Sequence, residues 1–171
     1  MPSSDRVVIL GNSGSGKSTL ALRLVRSGRY AHLDLDTLAW EPRMPPVRRP
    51  LADSSREIAA FIGANERWVI EGCYADLLAI PLPLCTRLVF LNPGIEACIE
   101  NARARPWEPH KYPSKEAQDA NLKMLTGWIR DYERRADEFS LRAHRTLFEA
   151  FSGDKIELDS RQEIAVFSDQ F

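Results

Sequence analysis

Arg6-Val7-Val8-Ile9-Leu10-Gly11-Asn12-Ser13-Gly14-Ser15-Gly16-Lys17-Ser18-Thr19 is the stretch whose reading decides the fold. Residues 6–10 are rich in β-branched side chains and read as a short buried strand. Residues 17–27 read as a helix stopped by Gly28. Between them, residues 11–18 satisfy the spacing G-x-x-x-x-G-K-[ST] without a mismatch. Glycines let the backbone turn so tightly that successive N–H groups point inward, and the helix start adds the positive end of its dipole. Such a turn cradles phosphate. The strand before it and the helix after it are the context that separates this motif from a chance glycine-rich loop.

Outward from the loop, strand-like and helix-like stretches alternate. Strands are expected at 30–35, 68–71 (WVIE), 87–91 (RLVFL) and 155–158 (KIEL), with helices over 94–104, 137–151 and 161–167. A further helix runs through residue 64 with Asp53 as its expected cap. The repeat Gln118, Leu122, Leu125, Ile129, Tyr132, Ala136 predicts another helix with one apolar face. Residues 40–50 carry four prolines and residues 106–113 carry three, so both are expected to be irregular. Alternation of this kind argues for an α/β fold, a parallel sheet covered on both faces.

The chain has 171 residues, enough for one domain with a core of its own. No basic-then-apolar leader and no apolar run of membrane-spanning length is visible. A cytoplasmic protein with no membrane partner is therefore expected. Cys73, Cys85 and Cys98 form no C-x-x-C pair, which argues against a disulfide framework or a structural zinc site. The net charge is −1, so no global basic field exists to hold nucleic acid, which is not an expected partner. Locally the balance differs: residues 103–145 hold ten Lys/Arg against seven Asp/Glu.

The loop assigns roles by chemistry. Gly11, Asn12, Ser13, Gly14, Ser15, Gly16, Lys17, Ser18 and Thr19 are expected to hold the phosphates of ATP. Lys17 would supply a point charge to the outer phosphates, and the Ser18 hydroxyl would ligate Mg²⁺. A Mg²⁺-nucleotide site also needs an acid at the end of a neighbouring strand. Glu71 ends one strand, while Asp34 and Asp36 end another and share one side if that strand continues so far. Their competing reading is a solvated strand end that caps a helix.

These residues bring a resemblance. The opening strand, loop and helix, followed by acids after the second strand, looks like the nucleoside-monophosphate kinase and shikimate kinase group of P-loop enzymes. Val69-Ile70-Glu71-Gly72 is similar to the adenylate kinase strand that ends Asp-Gly, whose acid helps hold Mg²⁺ through water. Asp34 and Asp36 resemble the D-x-D of shikimate kinase, whose acids serve the metal and the acceptor hydroxyl. Residues 68–74 (WVIEGCY) also resemble a bacterial adenylate-kinase-like group often labelled DNA topology modulation or FlaR-like. The resemblance implies a three-layer P-loop fold with five parallel strands in the order 2-3-1-4-5. It also implies one domain with a helical lid insertion at about 103–145.

Kinases of this group carry arginines on that lid. Arg103 and Arg105 follow the fourth strand and its helix, the position of the first lid arginines in adenylate kinase; Arg135-Ala136-Asp137-Glu138 looks like that family's R-x-D-D, and Arg145 lies near where a further lid arginine is expected. Arg105 and Arg135 are the two expected to act, while surface pairing is the simpler reading for Arg103 and Arg145. The pattern departs from adenylate kinase at Asn101, where an arginine would stand, and after Gly72, where F-P-R gives way to Cys73-Tyr74. AMP is therefore not expected as acceptor, and the missing G-G-G stretch removes shikimate. Trp40 is expected near the acceptor and Trp128 in the core. His110 and His144 lack a ligand-spaced partner, and no catalytic role is expected of Cys73. Guanine-reading N-K-x-D and transporter-type L-S-G-G-Q are both absent. The expectation is an ATP-dependent kinase acting on an unidentified small acceptor. The competing class is a nucleotide-dependent regulatory ATPase or binding protein, a DNA-associated one included.

Overall fold

The computed structural model describes residues 5–28 and 30–171, so the polar start of the chain at residues 1–4 lies outside the described residues. In chain order the elements are β1 (Arg6–Gly11), α1 (Lys17–Gly28), β2 (Ala31–Asp34), α2 (Asp36–Ala39), α3 (Leu51–Ala64), β3 (Trp68–Gly72) and α4 (Ala75–Leu78). They continue with β4 (Arg87–Leu91), α5 (Ile95–Ala104), α6 (Lys115–Arg130), α7 (Leu141–Ala150), β5 (Asp154–Leu158) and α8 (Arg161–Ser168). Among the described residues the five strands form one parallel sheet in the order β2-β3-β1-β4-β5, the order that the resemblance implied.

Parallel strands need crossover helices, and those helices bury both faces of the sheet. That is why the central strands are apolar in both alternating sets. Val8, Leu10, Trp68, Ile70, Leu88 and Phe90 enter one core with Leu35, Ile58 and Leu77. Val7, Ile9, Val69, Val89 and Leu91 enter the other with Leu20, Leu24, Leu158 and Phe167. Because β1 lies between β3 and β4, the chain leaves it at the point where the strand order reverses, which is where open α/β sheets bind ligands.

Several expected boundaries move. The second strand stops at Asp34, because Leu35 turns into the right-handed helical region and Asp36 begins α2. Asp36 is thus a helix residue, not the next strand position. Asp53 does not cap α3; the helix starts two residues earlier behind Pro50, and Asp53 sits in its first turn. Proline before Leu51 supplies the extended entry that a capping side chain would otherwise mark. The apolar repeat extending to Ala136 overruns its helix. α6 ends at Arg130, a 3₁₀ turn over Asp131–Glu133 keeps Tyr132 pointed inward, and Ala136 is exposed. α7 begins only at Leu141, where the Ser140 hydroxyl accepts the Ala143 N–H at 3.0 Å.

Residues 40–50 are irregular, as their prolines require, apart from one antiparallel bridge between Trp40 and Arg48. Arg48 pins this flap from within. It donates to Ala39 O at 3.1 Å, Glu138 at 2.6 Å and Asp76 at 2.9 Å, with its guanidinium over the Trp40, Tyr74 and Phe139 rings. Among the described residues, no helix is long and apolar enough to cross a membrane.

Candidate active site

The loop between β1 and α1 has the geometry its glycines were expected to provide. Gly14 and Gly16 sit at φ +77° and +100°, the left-handed region that other residues avoid. Space is as restrictive as conformation. A Cβ on Gly14 would stand 3.0 Å from the Cys98 carbonyl carbon, with its oxygen closer still. The loop is tied at two points to helices that follow β4. Asn12 Nδ2 donates to Ile129 O at 3.2 Å, and Asn101 Nδ2 donates to Gly14 O at 2.9 Å.

Lys17, at the first turn of α1, is 9% exposed and folds back to donate to Asn12 O at 2.8 Å. The Ser15 hydroxyl is buried in the loop with no hydrogen-bond partner among the described residues. A buried hydroxyl without a partner costs about 1–3 kcal/mol. An anion in the cradle would relieve that cost, so the donor set of this loop fits a phosphate chain. The fit extends to a metal: Ser18 Oγ donates to Glu71 Oε1 at 2.7 Å, and Glu71 is 1% exposed. A hydroxyl and a buried carboxylate side by side are the hard oxygen donors that Mg²⁺ prefers.

The acids of β2 join this line. Asp34 is the register partner of Glu71 across β2 and β3. Its Oδ1 accepts the Asp36 N–H at 2.9 Å, so the capping role weighed from the sequence is present. Asp36 has both oxygens engaged: Tyr74 OH donates to Oδ1 at 2.6 Å and Lys111 Nζ to Oδ2 at 2.9 Å. Lys111 also lies 3.4 Å from Asp34 Oδ2 and 3.7 Å from Glu108 Oε1. These surroundings drive the two carboxyls apart. Burial, then the charges of Asp36 and Glu71, raise the Asp34 pKa above the usual carboxylate range. Burial also opposes ionisation of Asp36, but Lys111, the Tyr74 hydroxyl and the charge of Lys17 outweigh it and lower its pKa. Of the two, Asp34 holds a proton more readily than Asp36.

Lys17, Ser18, Glu71, Asp34 and Asp36 therefore meet at the C-terminal ends of β1, β2 and β3. The two arginines do not join them. Arg105 pairs with Glu108 at 3.4 Å, on the link that carries Lys111. Arg135 stacks on Trp128 with its guanidinium 3.6 Å from the ring centroid and grips Asp137 through bonds of 2.6–3.0 Å. Those contacts make it a brace between the end of α6 and the start of α7. Arg145 is likewise bound, to Glu157 at 2.9 Å, and Arg103 is exposed. Trp40 Nε1 donates to Tyr74 OH at 2.9 Å, which places it one hydroxyl away from Asp36.

Several site residues escaped the sequence reading. His32 Nε2 lies 3.3 Å from Glu71 Oε1. Strand alternation puts it on the same face as Asp34, a signal that was available. Tyr74 stood in the WVIEGCY stretch without a role. Lys111 gave no signal: it is one lysine in a proline-rich link. His144 is a core residue, bonded to Tyr132 OH at 2.7 Å and Cys73 O at 2.8 Å, with its pKa lowered by burial to about 4. His110 is exposed. The Cys73 thiol is pushed up by burial to about 12, so it is no nucleophile.

Beside the loop opens a cleft of about 390 Å³, lined by Gly16, Thr19, Arg105, Arg161, Ile164 and Ala165 among others. Arg161 donates to Asn101 Oδ1 at 3.2 Å, and both line the cleft. The cleft is continuous with the phosphate cradle and has apolar and cationic walls. A second cavity lies at the opposite ends of the strands, around Val7, Arg87 and Asp154, and touches none of these residues.

The fold has relatives among solved structures. It is similar to a gluconokinase from Sinorhizobium meliloti, with a TM-score of 0.57 at 16% identity, over 99% of this chain and 90% of that one. It is also similar to a sugar kinase from Janibacter sp., with a TM-score of 0.55 at 14% identity, over 98% and 91%. No protein-family model matches the sequence, and no curated protein does. The chain has the fold of P-loop kinases.

Proposed function

We propose that this protein is a phosphotransferase that moves the γ-phosphoryl group of Mg²⁺-ATP to a hydroxyl of a small acceptor. The observation that carries the reading is the row of groups Lys17, Ser18, Glu71, Asp34 and Asp36, in which a phosphate cradle passes directly into an acid pair of divided pKa. In this reading the loop N–H groups, Ser15 and Lys17 grip the phosphates, and the base lies in the cleft beside Thr19, Ile164 and Arg161. Ser18 and Glu71 would hold Mg²⁺, which neutralises charge on the outer phosphates.

Asp36, fixed by Tyr74 and Lys111, orients the acceptor hydroxyl, and Asp34 takes its proton. The oxygen forms a bond to Pγ while the bond from Pγ to the bridging oxygen of ADP breaks. The segment at about 103–145 acts as a lid over the reacting groups, and the charged link before α6 is its working part. The finer kinship, with the bacterial adenylate-kinase-like group, rests on residues 68–74. Two fold relatives that act on a sugar or sugar acid make such polyols the first acceptors to try.

The test is ADP release from Mg²⁺-ATP with and without a panel of sugars, sugar acids, nucleosides and nucleotides. One acceptor should raise turnover far above basal hydrolysis. Tight ATP binding with no effective acceptor would instead favour a regulatory ATPase.

A further inference from the structure

Phosphoryl transfer spreads negative charge over the oxygens of the group in flight, and catalysis is largely the placing of positive charge against it. Lys17 supplies one cation, from the donor side. A second is needed where donor and acceptor meet. Of the two arginines expected there, Arg135 is held by Asp137 and Trp128, and Arg105 faces Glu108. The cation that stands at the acids is Lys111, with its ammonium 2.9 Å from Asp36 and 3.4 Å from Asp34. The charges of Lys111 and of Lys17 both act on the Asp36 carboxylate.

We infer that Lys111 is a catalytic residue of the proposed transfer, the cation that the link between α5 and α6 delivers to the migrating phosphoryl group.

The observations converge on that role. Lys111 is 20% exposed at its side chain, shielded enough to act through a low dielectric yet open toward the acid pair. Asp36, Asp34 and Glu108 raise its pKa against the opposing effect of burial, so it serves as a fixed positive charge and not as a base. The link that carries it is anchored to the first turns of α6. Glu108 N–H donates to Gln118 Oε1 at 2.8 Å, and Gln118 Nε2 returns to Pro106 O at 3.0 Å. Before transfer, three carboxylates share the ammonium. When the acceptor oxygen bonds to Pγ and the bond to the bridging oxygen of ADP breaks, the proton passes to Asp34 and removes one of those negative charges. The ammonium is then drawn to the equatorial oxygens of the phosphoryl group. ADP and the phosphorylated acceptor then leave, and Asp34 releases its proton to solvent, so that atoms and charge balance.

The inference rests on the phosphotransferase reading, so the experiment separates the two. Wild type, Lys17→Ala, Lys111→Met and Lys111→Arg are compared for binding of a fluorescent ATP analogue with Mg²⁺, for thermal stability, and for ADP release with water and with the acceptor panel. Lys111→Met should bind nucleotide within about threefold of wild type and keep its melting temperature. Its kcat should drop roughly 10²–10³-fold, the scale of removing one stabilising donor. Lys111→Arg should recover part of that loss. Undiminished kcat in Lys111→Met overturns the inference and leaves the phosphotransferase reading intact. Equal losses of kcat, nucleotide binding and stability also overturn it, by making Lys111 a structural counter-ion. No turnover in wild type, or turnover that Lys17→Ala does not reduce, overturns both.

Discussion

Replacing Gly14 with alanine tests the loop at its tightest point, and the structure sets the size of the effect. At φ +77° the new side chain would sit in the left-handed region, which costs about 1–2 kcal/mol. Its Cβ would also press into the Cys98 carbonyl at the start of α5, a backbone group that no rotamer can move aside. Overpacking of that kind costs about 1–3 kcal/mol, and the stiffer unfolded chain returns about 0.4–1 kcal/mol. The net loss should be about 1–5 kcal/mol, with about 2–4 °C of melting temperature lost per kcal/mol for a chain of this size. Gly16→Ala is the internal control. It is strained by φ +100° but meets nothing within 4 Å, so its cost should be about 1 kcal/mol. Urea denaturation of both variants gives the difference, which isolates the clash with Cys98. If Gly14→Ala is no less stable than Gly16→Ala, the close approach of α5 to the loop is wrong.

Lys17→Ala should remove nearly all ADP release, since it deletes the cation of the cradle; turnover near wild type would end the kinase reading. Glu71→Gln should leave nucleotide binding measurable without metal but weaken the gain from Mg²⁺ by roughly tenfold, read by titrating Mg²⁺ against a fluorescent nucleotide. His144 supplies a pH test of the core. Its pKa falls from the ordinary 6.5 to about 4 on burial, so the unfolded chain takes up a proton first as pH drops. Stability should be fully present above pH 6.5 and be lost between there and pH 4, by roughly 2–4 kcal/mol. His144→Gln should flatten that slope in denaturation curves taken across the range. Arg48→Met should cut the flap loose from Asp76 and Glu138, lowering stability by about 1–3 kcal/mol and speeding protease cleavage within residues 40–50.

The parts legible in sequence are those fixed by local physics. The phosphate loop is contiguous and its glycines have one use, and the apolar runs around Val8, Ile70 and Val89 admit only buried parallel strands. Asp34 and Glu71 could be placed side by side because they end such strands. What could not be read depends on contacts across the chain. The bond from Lys111 to Asp36 joins residues 75 apart, through a link whose path nothing in its own composition specifies. The partners of the two arginines were hidden for a related reason: Trp128, Asp137 and Glu108 are invisible as partners in a linear pattern. The α6 repeat was overextended because a 3₁₀ turn continues the inward spacing long enough for Tyr132 to stay buried. Periodicity reports burial, and burial does not stop where a helix does.

The bonds from Asn12 to Ile129 O and from Asn101 to Gly14 O make the loop and the following helices mechanically one body. Thermodynamic reciprocity then applies. Whatever a bound nucleotide contributes to the order of α5 and α6, those helices return as nucleotide affinity. Changes remote from the cradle, at Ile129 or in the packing of Cys98, should shift nucleotide affinity without touching a phosphate. Hydrogen exchange should slow along α6 when the cradle fills. The part of the chain that carries Lys111 would thus respond to nucleotide, and anything that orders that part would tighten nucleotide binding in return.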